Sequence, residues 1–353
     1  MRVLLIKTSS LGDVIHALPA LTDAARAIPG ITFDWVVEEG FAEIPTWHPA
    51  VGKVIPVAIR RWRKNLWQTI KSGEWRRFKQ NVRATQYDLV IDAQGLLKSA
   101  WLTRYVRAPV AGLDKDSARE PLAARFYSRR LAVARGQHAV ERVRQLFAVA
   151  LGYDLPQGLG DYGLSVERLV ELPRKNPFVL FLHGTTWDTK HWPEAYWREL
   201  TERMGMLGVD VQLPWGNPAE KARAERIAEG LSNATVLPKL NLAGVAKVLA
   251  QAQACVAVDT GLGHLAAALD VPTISLFGPT NPGLTGAYGR VQIHLGSNFP
   301  CAPCLQKQCT YQPSAVDQQR YDLKREWPLC FTRLNPERVA SRLSTLLLAE
   351  ELR

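Results

Sequence analysis

The sequence predicts an α/β protein built from two doubly wound domains. Three observations carry this. Short apolar runs alternate with stretches of helical periodicity, the alternation restarts midway, and 353 residues suit two such domains better than one.

The first half opens with RVLLIK and continues with FDWVVEE, KVIPVAI and YDLVIDAQG, runs of strand length and apolar enough to be buried on both faces. VIHALPALTDAARAI, between the first two, has helical spacing, and HAVERVRQLFAVALG ends the half as another helix. Strands joined through helices pair in parallel. The run YDLPQGLGDYGLSVERLVELPRKNP then breaks the periodicity with Gly and Pro. The expected boundaries are 1–165 for the first domain and 166–335 for the second, with a terminal helix at 336–353 packing back across the hinge.

In the second half FVLFLHG, VDVQLPWG, ATVLPK, ACVAVDT and PTISLFG read as strands or strand ends. PEAYWRELTERMGMLG, AEKARAERIAEGL, NLAGVAKVLAQA and HLAAALD are the helices between them. Two such domains facing one another place both sets of strand ends at a cleft, where ligands of parallel sheets bind.

No apolar stretch approaches the roughly 18 residues of a membrane span, and the run before Lys7 is far short of a signal-peptide core. A cytoplasmic protein is expected. The net charge of +11 is concentrated, since residues 60–83 hold nine Lys or Arg and one acid, interleaved with Trp62, Trp67, Trp75 and Phe78. That composition suits nucleic acid, an anionic membrane or a phosphorylated ligand equally well. Taken alone it reads more simply as a solvated basic helix with its aromatics in the core. Of five cysteines, Cys255 lies in a strand, and Cys301, Cys304, Cys309 and Cys330 form a cluster that could hold zinc, though with irregular spacing. No catalytic role is assigned to them.

The loops carry the chemistry. TSSLGD lacks the three glycines of a dinucleotide turn, which demotes phosphate binding there and leaves Asp13 as either a helix cap or a general base. LHGTTWDTKHWP offers Thr185 and Thr186 hydroxyls and Lys190, a mobile cation suited to phosphate oxygens. PWGNPAE puts Glu220 at a helix start, where it can bridge ribose hydroxyls or merely offset the dipole. VDTGLGHLAAA sets Asp259, Thr260, Gly261 and His264 at a strand end and helix start, a ready anion site, although His264 alone also reads as a core residue. Phosphate-friendly loops thus gather in the second half while a carboxylate and a basic patch occupy the first. A nucleotide-activated donor and an anionic acceptor fit that division.

RVLLIKTSSLGDVIHALPALTDA, FDWVVEEGF, VIPVAIRRWRK, VIDAQGLLKSA, AREPLA, HAVER, KHWPE, LPWG, VDTGLGHLAAALD and GPTNPGL, in this order, resemble the lipopolysaccharide heptosyltransferase I family of glycosyltransferase family 9 along nearly the whole chain. The resemblance implies a GT-B fold of two Rossmann-like domains, the acceptor in the first and the donor in the second. It also implies transfer of L-glycero-D-manno-heptose from ADP-heptose to the inner Kdo of Kdo2-lipid A, with peripheral contact on the cytoplasmic face of the inner membrane and no nucleic-acid partner.

By the same resemblance the base falls on Asp13. Donor contacts fall on Thr185, Thr186, Lys190, Glu220, Leu240, Asp259, Thr260, Gly261 and His264, with Leu240 against the adenine. Arg60, Arg61, Arg63, Lys64 and Arg119 match the region expected to receive acceptor phosphates and carboxylates. The departure is the cysteine-bearing stretch, roughly 297–330, expected to leave fold and donor site untouched. No cofactor is expected. No paired-carboxylate metal motif accompanies the donor loops, so turnover is expected without an obligatory divalent ion. The rivals are a later-acting heptosyltransferase, a nucleotide-sugar epimerase, and nucleic-acid binding through residues 60–83.

Overall fold

The computed structural model describes residues 1–164, 177–321 and 327–351, and the chain divides into two compact units, Met1–Leu164 and Ser165–Arg353. The expected boundary at 165/166, part of the cysteine-bearing stretch and the last two residues lie outside the described residues.

The first unit is a parallel sheet of β1 (Arg2–Ile6), β2 (Thr32–Glu38), β3 (Val51–Val57), β4 (Leu89–Asp92), β5 (Val110–Leu113) and β6 (Arg129–Leu131), in the order β3-β2-β1-β4-β5-β6. Val3, Leu4, Leu5 and Ile6 are wholly buried, as a central strand covered by helices on both faces requires. The stretch expected as one helix is two, Leu11–Ile15 and Leu18–Ala27. Pro19 accounts for the break, since its ring would meet the carbonyl of Ile15 in a continuous helix.

Helix Leu18–Ala27 packs on helix Ala139–Leu151. From the latter Arg144, almost fully buried, bonds Asp23 at 2.6 Å and the Gly158 and Pro156 carbonyls at 2.8 and 3.0 Å. A buried guanidinium is tolerated because its donors are met. It ties the end of this unit to its first helices.

The basic stretch forms three helices, Ile59–Lys64, Leu66–Lys71 and Glu74–Arg83. Gly73, at φ +71°, makes the left-handed turn between the last two. Trp62 and Phe78 are buried, and with Trp75, Trp101 and Tyr105 they form one aromatic cluster with centroids 5.0 to 6.4 Å apart. Trp67 is 85% exposed. The simpler expectation of core aromatics therefore describes three of the four.

The second unit repeats the pattern with β7 (Phe178–Leu182), β8 (Asp210–Leu213), β9 (Ala234–Val236), β10 (Ala254–Val258), β11 (Thr273–Phe277) and β12 (Gln292–Gly296), parallel, in the order β12-β11-β10-β7-β8-β9. Phe181, Trp192 and Trp197 fill one side of its core. The last helix, Pro336–Glu351, packs on helix Glu194–Met206 and on β10 and β11. Val339, Leu343 and Leu347, four residues apart, are buried there. The terminal helix that the sequence sent across the hinge thus has its apolar side taken up by the second unit's own core.

In each sheet the strand order reverses once, between β1 and β4 in the first unit and between β7 and β10 in the second. At such a reversal the loops after the two strands turn to opposite faces and leave a crevice.

Candidate functional site

In the first unit Asp13 follows β1 at that reversal. Its Oδ2 accepts the Ser10 N–H at 2.7 Å and the Ser10 hydroxyl at 3.0 Å, which makes it the third-position partner of the N-cap Ser10 in a capping box at the start of helix Leu11–Ile15. Its Oδ1 lies 3.7 Å from Lys7 Nζ, and the side chain remains 43% exposed. Capping thus orients the carboxylate without burying it, and one oxygen is left toward solvent and Lys7.

The loop after β4 holds this turn in place. Gln94 Oε1 accepts the Thr8 and Ser9 N–H groups at 3.0 and 3.2 Å. Asp92, fully buried, in turn accepts the Gln94 N–H at 2.9 Å and the Tyr127 hydroxyl at 2.8 Å. Burial pushes its carboxyl above the usual range. Gly112 permits this, since a Cβ there would lie 2.5 Å from the Tyr127 ring.

Lys7 Nζ donates to the Ala93 carbonyl at 2.9 Å, and Lys98 Nζ donates to the Ser9 hydroxyl at 2.8 Å. Burial draws the Lys98 ammonium below its ordinary range, opposed by Glu38. Two cations therefore flank the Asp13 turn. Neither was singled out in the sequence: Lys7 stands in the same turn, and Lys98 is brought to it from helix Leu97–Ala100 by the fold.

The predicted acceptor residues divide. Arg60, Arg63, Lys64 and Arg119 are exposed. Arg63 lines a 580 Å³ pocket walled by Trp62, Trp75, Trp101 and Leu97 and edged by Lys98 and Glu120. Arg61 is engaged: its guanidinium donates to Glu39 at 3.0 and 3.3 Å and to Glu74 at 2.8 Å. That partner, with the Trp62 indole N–H, holds Glu74 down to about 2.

In the second unit the loops after β7 and β10 meet. Lys190 Nζ lies 2.7 Å from Asp259 Oδ2, which also accepts the Thr280 hydroxyl at 2.6 Å. The Thr185 hydroxyl donates to the Asp259 carbonyl at 3.0 Å. Thr260 then stands at the N-cap position of helix Gly261–Ala268, without a side-chain capping bond; the helix buries His264, and its first-turn amides and positive dipole end follow directly on the Lys190 and Asp259 pair. Lys190 also sits 4.4 Å above the Trp187 ring.

Glu220 reaches back along its helix, Pro218–Ala228. Its Oε2 accepts the Gly216 N–H at 2.7 Å, while its own N–H bonds Asn217. Its carboxyl lies against Gly184, where a Cβ would come within 2.9 Å, which brings it beside the loop of Thr185. Leu240 is half-buried next to Gly244, one residue before the cap of helix Leu242–Gln251. Thr186 lines a 610 Å³ pocket with Trp187, Asp188, Leu305 and Lys307.

That pocket shows the cysteine-bearing stretch in contact with the loop of Thr186 and Lys190. The Thr189 hydroxyl donates to the Gln306 carbonyl at 2.6 Å, the Thr189 N–H to Lys307 at 3.4 Å, and Lys307 Nζ lies 5.9 Å from Trp187. The stretch braces the loop that carries Lys190. Among the described residues no group of three or more His, Cys, Asp or Glu side chains is arranged to hold a metal ion. Burial pushes the Cys330 thiol up to about 12. Thr280, Thr189 and Lys307 were missed in the sequence; Thr280 sits in the quoted GPTNPGL, but nothing local marks it as a partner of Asp259.

Each unit thus carries polar groups at its own switch point, and sequence likeness gives the chain its kin. The profile of glycosyltransferase family 9 (heptosyltransferase) matches residues 75–315. Lipopolysaccharide heptosyltransferase 1 of Pseudomonas aeruginosa is 75% identical over 352 residues, 99% of each chain. That of Escherichia coli K12 is 56% identical over 295 residues, 83% of this chain and 92% of the relative. The structure of E. coli heptosyltransferase WaaC with ADP superposes with a TM-score of 0.85 at 48% identity, over 98% of this chain and all of that one. The fold is the GT-B class expected from the sequence. On both sequence and structure, the chain belongs to glycosyltransferase family 9, the heptosyltransferases.

Proposed function

We propose that the protein is an inverting glycosyltransferase that moves L-glycero-D-manno-heptose from ADP-heptose to the inner Kdo of Kdo2-lipid A. The observation that carries this reading is the 75% identity, over nearly all of both chains, to a relative named lipopolysaccharide heptosyltransferase 1. Identity to a heptosyltransferase 2, from Salmonella typhimurium, is 24%. That contrast favours the first heptose over a later one.

The reaction is a single displacement. The Kdo hydroxyl oxygen bonds to the anomeric carbon as the bond to the ADP oxygen breaks, and Asp13 takes the hydroxyl proton. The exposed, Ser10-oriented carboxylate supports that role. Negative charge grows on the departing ADP, and only interactions that strengthen with it accelerate the step. Lys190 and the amides of Thr260 and Gly261 supply them, and Thr185 and Asp259 fix their positions.

Thr186 adds a hydroxyl to the phosphate loop, His264 buttresses the helix start, Glu220 accepts from the ribose, and Leu240 packs on the adenine. Arg60, Arg63, Lys64 and Arg119 receive acceptor phosphates and carboxylates. Arg61, held by two carboxylates, shapes that surface. The work is done at the cytoplasmic face of the inner membrane through peripheral contact; among the described residues no helix is long and apolar enough to cross a bilayer.

The experiment is ADP release by the purified chain from ADP-heptose, with Kdo2-lipid A, with the same acceptor already carrying one heptose, and with none. Release that requires Kdo2-lipid A supports the proposal. Release only with the heptosylated acceptor assigns a later step, and release without acceptor rejects transfer.

A further inference from the structure

Helix Leu66–Lys71 sits in the middle of the basic stretch of the first unit. Its Thr69 is buried, with its hydroxyl donating to the Asn65 carbonyl at 2.9 Å, so one face of the helix turns to the protein. Trp67 and Ile70, three residues apart, are 85% and 67% exposed. Side chains three apart on a helix lie on the same face. Two large apolar groups thus stand together on the solvent side, and neither joins the aromatic cluster that takes up Trp62, Trp75 and Phe78.

The ground around them is cationic. Arg63 and Lys64 precede the helix, Lys71 ends it, and Arg76, Arg77 and Arg83 on the next helix are all exposed. The stretch holds nine cations against one acid, and that acid, Glu74, is already engaged by Arg61 and Trp62. Exposed apolar groups inside a positive field are what an anionic bilayer attracts: the charges gather at the headgroups while a Trp and an aliphatic neighbour enter the acyl boundary. A nucleic acid would use the charges and a ring for stacking, but has no use for an exposed isoleucine.

We propose that Trp67 and Ile70 form a wedge that inserts into an anionic lipid surface and seats the acceptor-binding unit on it. This deepens the reading above and rests on it, since a lipid-borne acceptor gives the seat its purpose. Arg60, Arg63 and Lys64 belong to acceptor recognition; Trp67 and Ile70 act on the membrane itself.

The test is co-sedimentation of the full chain with vesicles of phosphatidylcholine alone and with added phosphatidylglycerol, for the native protein, Trp67→Ala/Ile70→Ala and Trp67→Phe. The native chain should prefer the anionic vesicles. The double variant should partition about tenfold less or weaker, with an unchanged thermal transition, and Trp67→Phe should retain most of the binding. Quenching of native tryptophan fluorescence by brominated lipid should be reduced in the double variant. Equal partitioning of native and double variant overturns the wedge, as does a native chain that binds duplex DNA and ignores vesicles. Self-association lost in the double variant, without vesicle binding by the native chain, overturns it in favour of a second copy of the chain.

ADP release with Kdo2-lipid A stripped of its acyl chains separates the two readings. The double variant should match the native chain on this soluble acceptor and fall behind on acceptor in vesicles. Loss of release by both proteins on every acceptor would sink the transfer reading and leave the vesicle result standing by itself.

Discussion

Lys190 and Asp259 are paired at 2.7 Å, and Thr280 holds the shared carboxylate oxygen from the other side. The lysine is therefore aimed before any phosphate arrives, and in the proposed mechanism what it offers the departing ADP depends on that aim. Lys190→Ala should lower kcat/KM for ADP-heptose by roughly 10- to 100-fold, the worth of a charge-assisted hydrogen bond. Asp259→Asn, which leaves Thr280 a partner but frees the lysine, should lower kcat more than it raises the donor KM. Steady-state kinetics of both variants check this. With protein groups in that role, EDTA should leave turnover unchanged.

Asp13 is a capping-box residue by observation and a base by proposal, and two substitutions separate the roles. Asp13→Asn keeps an oxygen to accept from the Ser10 N–H and hydroxyl but cannot take a proton. It should fold with a near-native thermal transition and lose about 100-fold or more in kcat. Asp13→Ala should lose the same activity and a further ~1 kcal/mol of stability with the cap. An asparagine variant that turned over normally would make the carboxylate a cap and nothing more.

The cationic surface should respond unevenly. Arg63→Glu is expected to raise the acceptor KM and spare that for ADP-heptose. Arg61→Glu would put a third carboxylate beside Glu39 and Glu74, and should disturb the packing of the Trp62 helix as well as acceptor binding. Glu74, held at about 2 by Arg61, stabilises the native state above its ordinary value of 4.5, and that contribution fades as pH falls toward 2. Parallel kinetics and melting of the two arginine variants would show whether the difference is there.

His48 provides a pH dependence near neutrality. Burial lowers its pKa from 6.5 to about 4, opposed by Asp161. The Ala50 N–H donates to its Nδ1 at 3.1 Å, and its Nε2 lies 2.9 Å from the Thr22 hydroxyl, so the site fits the neutral ring. The unfolded chain takes up the proton first. Stability should be full above pH 6.5 and fall as pH drops toward 4, by up to about 3 kcal/mol. Urea unfolding at pH 7.5 and 5 should show that slope in the native protein and a smaller one in His48→Gln.

The sheet centres were legible because burial on both faces writes itself as an apolar run, as in RVLLI and ACVAV. The strands missed were β5, of four residues, and the sheet-edge strands β6 and β12. An edge buries less and so needs no such run: RRL in β6 is largely exposed. The helix break before Pro19 was written in the sequence, but apolar periodicity runs straight through it. Among the candidate residues, those on loops after strands can be singled out from their position and type. Lys7, Lys98, Gln94 and Thr280 were not, because their partners are set by strand pairing and lie up to 89 residues away. The Thr189 bond to Gln306 spans 117 residues and belongs to the same class.

Each sheet reverses its strand order once, and each reversal has its own core and its own crevice. On the proposed division of donor and acceptor, recognition would be inherited in two parcels. If, as proposed, one unit reads the acceptor and the other the nucleotide, a lineage can exchange the first surface and keep the second, because each unit has its own sheet and core. Hybrid chains joined between the units are thus a practical route to new donor and acceptor combinations.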